Sequence, residues 1–158
     1  GEDLPYLQSF TCPFCKQSPK FNWDEHISMN ELTDSIKRKY KTVNRVNALT
    51  LKKHEGRIVE IHMKHDSGVL KITGNDFRML LSPSRIKSLF FTARKTNSGL
   101  KISGYGWGHG VGLCQYGAKG MAEKNFKYNE ILSYYFKDTH LITIDSKHTL
   151  QNHHIAKQ

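Results

Sequence analysis

The sequence predicts an α+β fold, mostly antiparallel strands with a few short helices, and three patterns carry that expectation. Apolar residues recur at helical spacing in several short segments. Between residues 48 and 72 the period changes to two, with turn residues inside the run. From Gly104 to Gly112 glycine occupies every second position, which suits neither a helix nor an ordinary strand.

Taken in order, the first twenty-odd residues read as an irregular segment punctuated by Pro5, Pro13 and Pro19. Ser28-Met29-Asn30-Glu31 matches a capping box, and Met29, Leu32, Ile36 and Tyr40 follow at helical spacing. A helix over 29–39 is expected, its other face basic. In the period-two stretch Val59, Ile61 and Met63 share one face, with Ile58, Glu60, His62 and Lys64 on the other, as a strand requires. Asp66-Ser67-Gly68 offers turn chemistry, so 69–72 returns as the second strand of a hairpin. Asn75 or Thr73 then caps a short helix through Leu81, stopped at Ser82-Pro83. A strand over 89–94 turns back into 100–103. Helices over 113–124 and 129–136 follow, the second with Ile131, Leu132, Tyr135 and Phe136 as its buried stripe. A last strand is expected over 141–144, and the His- and Gln-rich end, 147–158, reads as a flexible tail.

With 158 residues, 37% of them apolar and 11% aromatic, the chain suits one domain or a large piece of one and is too apolar for a disordered polymer. Twenty-four Lys and Arg against fourteen Asp and Glu leave a net +10, a field that favours an acidic partner: nucleic acid, an anionic membrane or a cell-wall polymer. Much of the excess lies in Lys37, Arg38, Lys39, Lys41, Arg45, Lys52, Lys53 and Arg57, faced only by Glu55 and read as a solvated basic face. No nucleic-acid reader motif accompanies it, so nucleic acid is not an expected partner. No run approaches the roughly 18 apolar residues of a membrane span, and the first residues lack the charged and apolar regions of a signal peptide. A membrane anchor, if the protein has one, is expected outside this chain.

Three cysteines, Cys12, Cys15 and Cys114, are an odd number, which argues against a fully paired disulfide framework. Cys12-Pro-Phe-Cys15 is a C-x-x-C, open to three readings: half a zinc site, a redox pair or a local disulfide. No second C-x-x-C or H-x-x-x-H is present, though His26 and the His54, His62 and His65 group could complete a site in space. No metal is assigned and no cofactor expected.

The chemistry concentrates in Gly104-Tyr105-Gly106-Trp107-Gly108-His109-Gly110-Val111-Gly112. If extended, this backbone places Tyr105, Trp107, His109 and Val111 on one side and leaves the other bare. Glycine here costs backbone entropy, so close approach or positive φ must be needed. A sugar polymer fits such a surface: carbohydrate C–H faces pack on aromatic rings, while imidazole, amide and backbone groups serve the hydroxyls. Tyr105, Trp107, His109, Gln115 and Tyr116 supply that set; the competing reading makes Tyr105 and Trp107 core residues. The segment begins as G-x-G but lacks the Gly-Lys-Ser/Thr ending of a phosphate loop, and Val111 stands where a dinucleotide fingerprint needs its third glycine.

Residues 106–118, Gly-Trp-Gly-His-Gly-Val-Gly-Leu-Cys-Gln-Tyr-Gly-Ala, continue through Met121-Ala122 to Tyr128-Asn129-Glu130-Ile131-Leu132 and Tyr134-Tyr135-Phe136. This stretch resembles the closing signature of the stage II sporulation protein D (SpoIID) / LytB family. Weaker similarity upstream, at Pro5-Tyr6-Leu7, Ser18-Pro19 to Trp23, Ile27-Ser28, Glu31-Leu32 and Gly74-Asn75-Asp76-Phe77-Arg78, keeps the same order. The resemblance implies that 1–146 form the C-terminal portion of a larger cleft-forming domain in the bacterial cell envelope. It implies a lytic transglycosylase that cuts peptidoglycan between N-acetylmuramic acid and N-acetylglucosamine to 1,6-anhydro ends. One carboxyl group of raised pKa would serve both proton transfers. The family's acid is a glutamate in an Ala- and Arg-rich helical segment with no match here, so the isolated chain is expected to be inactive, the substrate-cleft half. By position, His109, Gln115 and Tyr116 take supporting catalytic roles, and Tyr105, Gly106, Trp107, Gly108, Gly110 and Gly112 bind substrate. Glu130 reads as an early-turn helix residue rather than an acid. Cys114 stands where the family commonly has a small hydroxyl residue and reads as a benign buried thiol. Glycan strands are the expected partner, with other cell-wall hydrolases if the chain is instead a binding module that enhances an amidase.

Overall fold

A computed structural model describes residues 12–19 and 21–142. Two three-stranded antiparallel sheets and four short helices make up these residues, so the α+β class stands. One sheet orders as β1 (Asn22–Ile27), β6 (Gly99–Tyr105) and β5 (Phe91–Thr96). The other orders as β2 (Val46–His54), β3 (Arg57–His65) and β4 (Gly68–Thr73). Between them run α1 (Met29–Lys39) and α2 (Gly74–Leu81); α3 (Gln115–Ala122) and α4 (Tyr128–Tyr135) follow the second strand of the last hairpin.

Local chemistry places most of these elements where the pattern predicts them. Ser28 Oγ accepts the Glu31 N–H at 3.1 Å and opens α1, which buries Leu32 and Ile36. Thr73, of the two candidate caps, accepts the Asp76 N–H at 3.0 Å and opens α2. Each hairpin turns in two residues: Glu55-Gly56, Asp66-Ser67 and Asn97-Ser98. Glu55 (φ 47°) and Gly56 (φ 80°) are both left-handed, the conformation that matches the twist of the flanking strands.

Two strand expectations change. Lys52 pairs with Glu60, but the next residue, Lys53, pairs with Ile58, leaving Val59 as an extra residue in a bulge. The bulge reverses the alternation: Ile58 is fully buried and Val59 is 48% exposed, while Ile61 and Met63 keep the inward face. β1 replaces part of the irregular N-terminal segment. It buries Trp23 and Ile27, but Glu25 stands between them on the same parity and hides the period. Arg85 makes that carboxylate tolerable, donating from Nε at 3.0 Å and from a terminal nitrogen at 2.8 Å. Of the expected last strand, Leu141 and Ile142 are not extended into a sheet, and the remainder, like the 147–158 tail, lies outside the described residues.

The main core lies between and around the two sheets, with Phe77 and Phe91 stacked at 6.1 Å and Trp23 tilted against Phe91 at 6.2 Å. A separate small core of Met121, Ile131 and Tyr135 joins α3 and α4 to the 3-10 turn at Pro13–Cys15. The glycine-rich segment runs from the end of β6 in the first to the start of α3 in the second.

Candidate functional site

Beyond β6 the chain is not extended. Gly106, Gly108, Gly110 and Gly112 all have positive φ, at 68°, 117°, 84° and 76°, whereas the residues between them do not. The alternation therefore serves backbone handedness and not a bare strand face, which corrects the extended reading. Gly104, still in β6, has a different reason: a side chain there would collide with the indole of Trp23.

Three contacts fix the loop. The Gly106 N–H donates to Phe21 O and the Gly108 N–H to Lys87 O, both at 2.8 Å. Arg57 reaches across from the start of β3, donating to the carbonyls of His109 at 3.4 Å and Gly110 at 3.3 Å. Its guanidinium lies over the Phe90 ring at 5.2 Å, and burial lowers its pKa without threatening its charge. A Cβ at Gly110 would run into that guanidinium. Arg57 is thus a loop clamp rather than part of a solvated basic face. Sequence reasoning missed it because its partners are backbone atoms 52 and 53 positions away.

On this frame Tyr105, Trp107 and Tyr116 are 56%, 58% and 43% exposed, which removes the core reading of Tyr105 and Trp107. His109 and Gln115 are exposed too. The Val111 N–H donates to His109 Nδ1 at 3.1 Å. With Nδ1 acting as acceptor, the neutral imidazole carries its proton on Nε2 and has a donor to offer. Gln115 and Tyr116 occupy the first turn of α3, whose cap is Cys114: its sulfur accepts the Gly117 N–H at 3.3 Å. A thiol here performs the task usually given to a hydroxyl.

The carboxylates with structural partners are engaged elsewhere. Glu123 pairs with Lys119, Glu130 accepts the Lys127 N–H at 2.7 Å at the start of α4, and Glu25 and Glu31 share Arg85. The His62 hydrogen bond and then Lys52 hold Glu60 below the usual carboxylate range; Lys39 and then Thr73 do the same for Asp76. Both shifts run opposite to what a general acid needs.

Next to the loop's far end the fold joins residues that the sequence leaves apart. The sulfurs of Cys12, Cys15 and Cys114 lie within 4.8 Å of one another. All three thiols are free and partly buried, so Cys114 is not an isolated buried thiol. Cys12 Sγ lies 3.1 Å from the Tyr135 hydroxyl, and Cys15 donates to the Cys12 carbonyl at 3.3 Å. Burial, then the neighbouring Cys12 and Cys114, pushes the Cys15 thiol up to about 12. Of the four histidines considered as further ligands, three are occupied elsewhere: His26 with Ser98 at 2.9 Å, His62 with Glu60, and His65 beside Asp66 at 3.6 Å; His54 is exposed at the end of β2 and is not part of the sulfur cluster. The odd cysteine count was the available signal for this cluster.

A sequence family described as a domain of unknown function, DUF8618, matches residues 13–112. An uncharacterized protein of Brachyspira hyodysenteriae is 35% identical over 144 residues, 90% of this chain and 38% of that protein. Stage II sporulation protein D of Bacillus subtilis is 27% identical over 157 residues, covering 98% of this chain and 42% of that protein. The amidase enhancer of Bacillus subtilis is 38% identical over 72 residues, 46% of this chain and 10% of that protein. The chain thus spans at most about two fifths of these relatives. Among the described residues no helix is long and apolar enough to cross a membrane. With the DUF8618 family matching residues 13–112 and stage II sporulation protein D matching across 98% of the chain, the chain belongs to the DUF8618 family and to the stage II sporulation protein D / LytB family.

Proposed function

We propose that this chain is the glycan-facing half of a cell-envelope lytic transglycosylase acting on peptidoglycan. The observation that carries the reading is the clamped loop: Tyr105 and Trp107 present exposed rings, and His109 offers an Nε2 donor, on a backbone fixed by Arg57, Phe21 and Lys87. Exposed aromatic side chains on a rigid frame suit the C–H faces of a sugar, and the imidazole suits a hydroxyl or ring substituent. In the reaction the glycosidic oxygen takes up a proton as its bond to C1 breaks. The muramic acid C6 hydroxyl loses one as it closes onto C1, so no water is consumed. His109, Gln115 and Tyr116 orient the sugar; the carboxyl group that moves the protons is proposed to come from outside this chain.

The test pairs binding with product analysis. The chain is sedimented with purified peptidoglycan, and the soluble fraction is examined by mass spectrometry for 1,6-anhydro muropeptides. Trp107→Ala and His109→Ala are each expected to weaken binding roughly tenfold, about 1.4 kcal/mol. Lys52→Ala, which removes only the 3.2 Å surface pair with Glu60, should change little. Equal losses for all three would reduce the interaction to charge attraction and end the cleft assignment. Anhydro products released by this chain alone would show a competent carboxylate within it.

The likeness to an amidase enhancer favours a second reading, a binding module that stimulates a cell-wall amidase. Stimulated amidase turnover, with no anhydro products even after an upstream half is supplied, would select it.

A further inference from the structure

We infer that Cys12, Cys15 and Cys114 form a zinc site that locks the far end of the glycine loop to the N-terminal segment. The C-x-x-C on its 3-10 turn supplies two sulfurs, and the cap position of α3, 99 residues beyond Cys15, supplies the third. Zinc–thiolate bonds of about 2.3 Å in a tetrahedron set sulfurs about 3.8 Å apart. Sulfurs already within 4.8 Å of one another need move by less than about 1 Å each to share an ion.

The surroundings fit a bound thiolate group. Burial raises the Cys114 thiol in the metal-free chain, and the Gly117 N–H, donating to Cys114 Sγ at 3.3 Å at the N-terminus of α3, opposes it by favouring the anionic sulfur that an ion would hold. Tyr135 Oη, 3.1 Å from Cys12 Sγ, supplies another hydrogen-bond partner. Close approach is built in from the helix side: a Cβ at Gly117 would strike Tyr135 Oη and Cys12 Sγ, and one at Gly120 would strike the Phe14 carbonyl. α3 is therefore pressed onto the cysteine turn by two residues one helical turn apart.

A disulfide accounts for this arrangement less well, because it joins two sulfurs and gives no reason for the third to lie within 4.8 Å of both. Thiolates select zinc, copper(I) or iron–sulfur clusters, and three sulfurs without a fourth cysteine suit a single zinc. Among the described residues no histidine, aspartate or glutamate joins the trio. The fourth position is filled by water or by a donor outside those residues. The need for such a staple is physical: among the described residues only Met121, Ile131 and Tyr135 are buried in this small core. Cys114 immediately precedes Gln115 and Tyr116, so the ion would fix the point at which the loop becomes a helix.

The experiment is metal analysis of the full 158-residue chain, purified without chelator. About one zinc per chain is expected by mass spectrometry. In Cys114→Ser the hydroxyl can still cap α3, so the far-ultraviolet dichroism should persist while zinc falls below about a tenth of the wild-type content. Because the variant could misfold, the wild-type chain is also stripped and loaded with cobalt(II), which should give the intense visible bands of a tetrahedral thiolate complex. A metal-free chain lighter by two hydrogens, with one titratable thiol, would replace the site with a disulfide and overturn the inference. So would unchanged zinc in Cys114→Ser, or copper or iron in zinc's place. None of these readouts depends on glycan binding.

Discussion

The two cores of this chain are held together by different means. Among the described residues the sheet core buries sixteen hydrophobic side chains drawn from both sheets, α1, α2 and their connections. The helix core buries three, with Phe14 meeting Phe126 and Tyr134 edge-on at 5.9 and 5.6 Å around its rim. The first is stabilised by apolar area removed from water, spread so widely that no single contact decides it. The second depends on close approach at Gly117 and Gly120 and on what happens at three sulfurs. Between them lies the glycine loop, whose first half is tied to the sheets and whose last residues enter the helix core. Its shape should therefore be rigid at one end and conditional at the other.

Substitutions that separate the two regions put this contrast at risk. The largest effect is expected for Phe91→Ala, which empties a 2% exposed site between Phe77 and Trp23. A loss of about 3–5 kcal/mol in denaturant unfolding is expected, with every region losing hydrogen-exchange protection. Gly117→Ala forces a methyl group toward Tyr135 Oη and Cys12 Sγ and should cost roughly 1–3 kcal/mol. Its exchange signature should be confined to α3, α4 and the cysteine turn; equal loss in β3 and β6 would mean one cooperative unit rather than two. The smallest effect belongs to Asp76→Asn on α2. Lys39, at 3.0 Å, and Thr73 lower the Asp76 pKa in the folded chain. Its stabilising contribution is therefore present above the ordinary aspartate range and lost as pH falls through the lowered folded value. Melting temperatures of wild type and variant should differ slightly at neutral pH and converge in acid.

Much of the fold was legible because the signals are local. Ser28 and Glu31 announce α1 within four residues, and Thr73 with Asp76 does the same for α2. Ile131 and Tyr135 are buried in α4 as their spacing predicts. Failures came where a distant residue changes the meaning of a near one. Glu25 breaks the alternation of β1 until Arg85, sixty positions later, neutralises it. Val59 belongs inward by parity and turns outward because the pairing with β2 slips there. In the site, the glycine spacing drew attention to Trp107 and His109, which the fold leaves exposed. It did not reveal that the glycines serve handedness, that Arg57 holds their carbonyls, or that Cys114 meets Cys12 and Cys15.

The sign of φ along 106–112 has a stereochemical consequence. Every second residue has φ of the sign that a D-amino acid favours, so the loop alternates in handedness along a backbone assembled from achiral members. Gly106 and Gly108 have open space where an L side chain would begin. L-alanine at either position would fail for its mirror sense alone, whereas D-alanine introduced by chemical ligation should leave the loop intact and stiffen the unfolded chain.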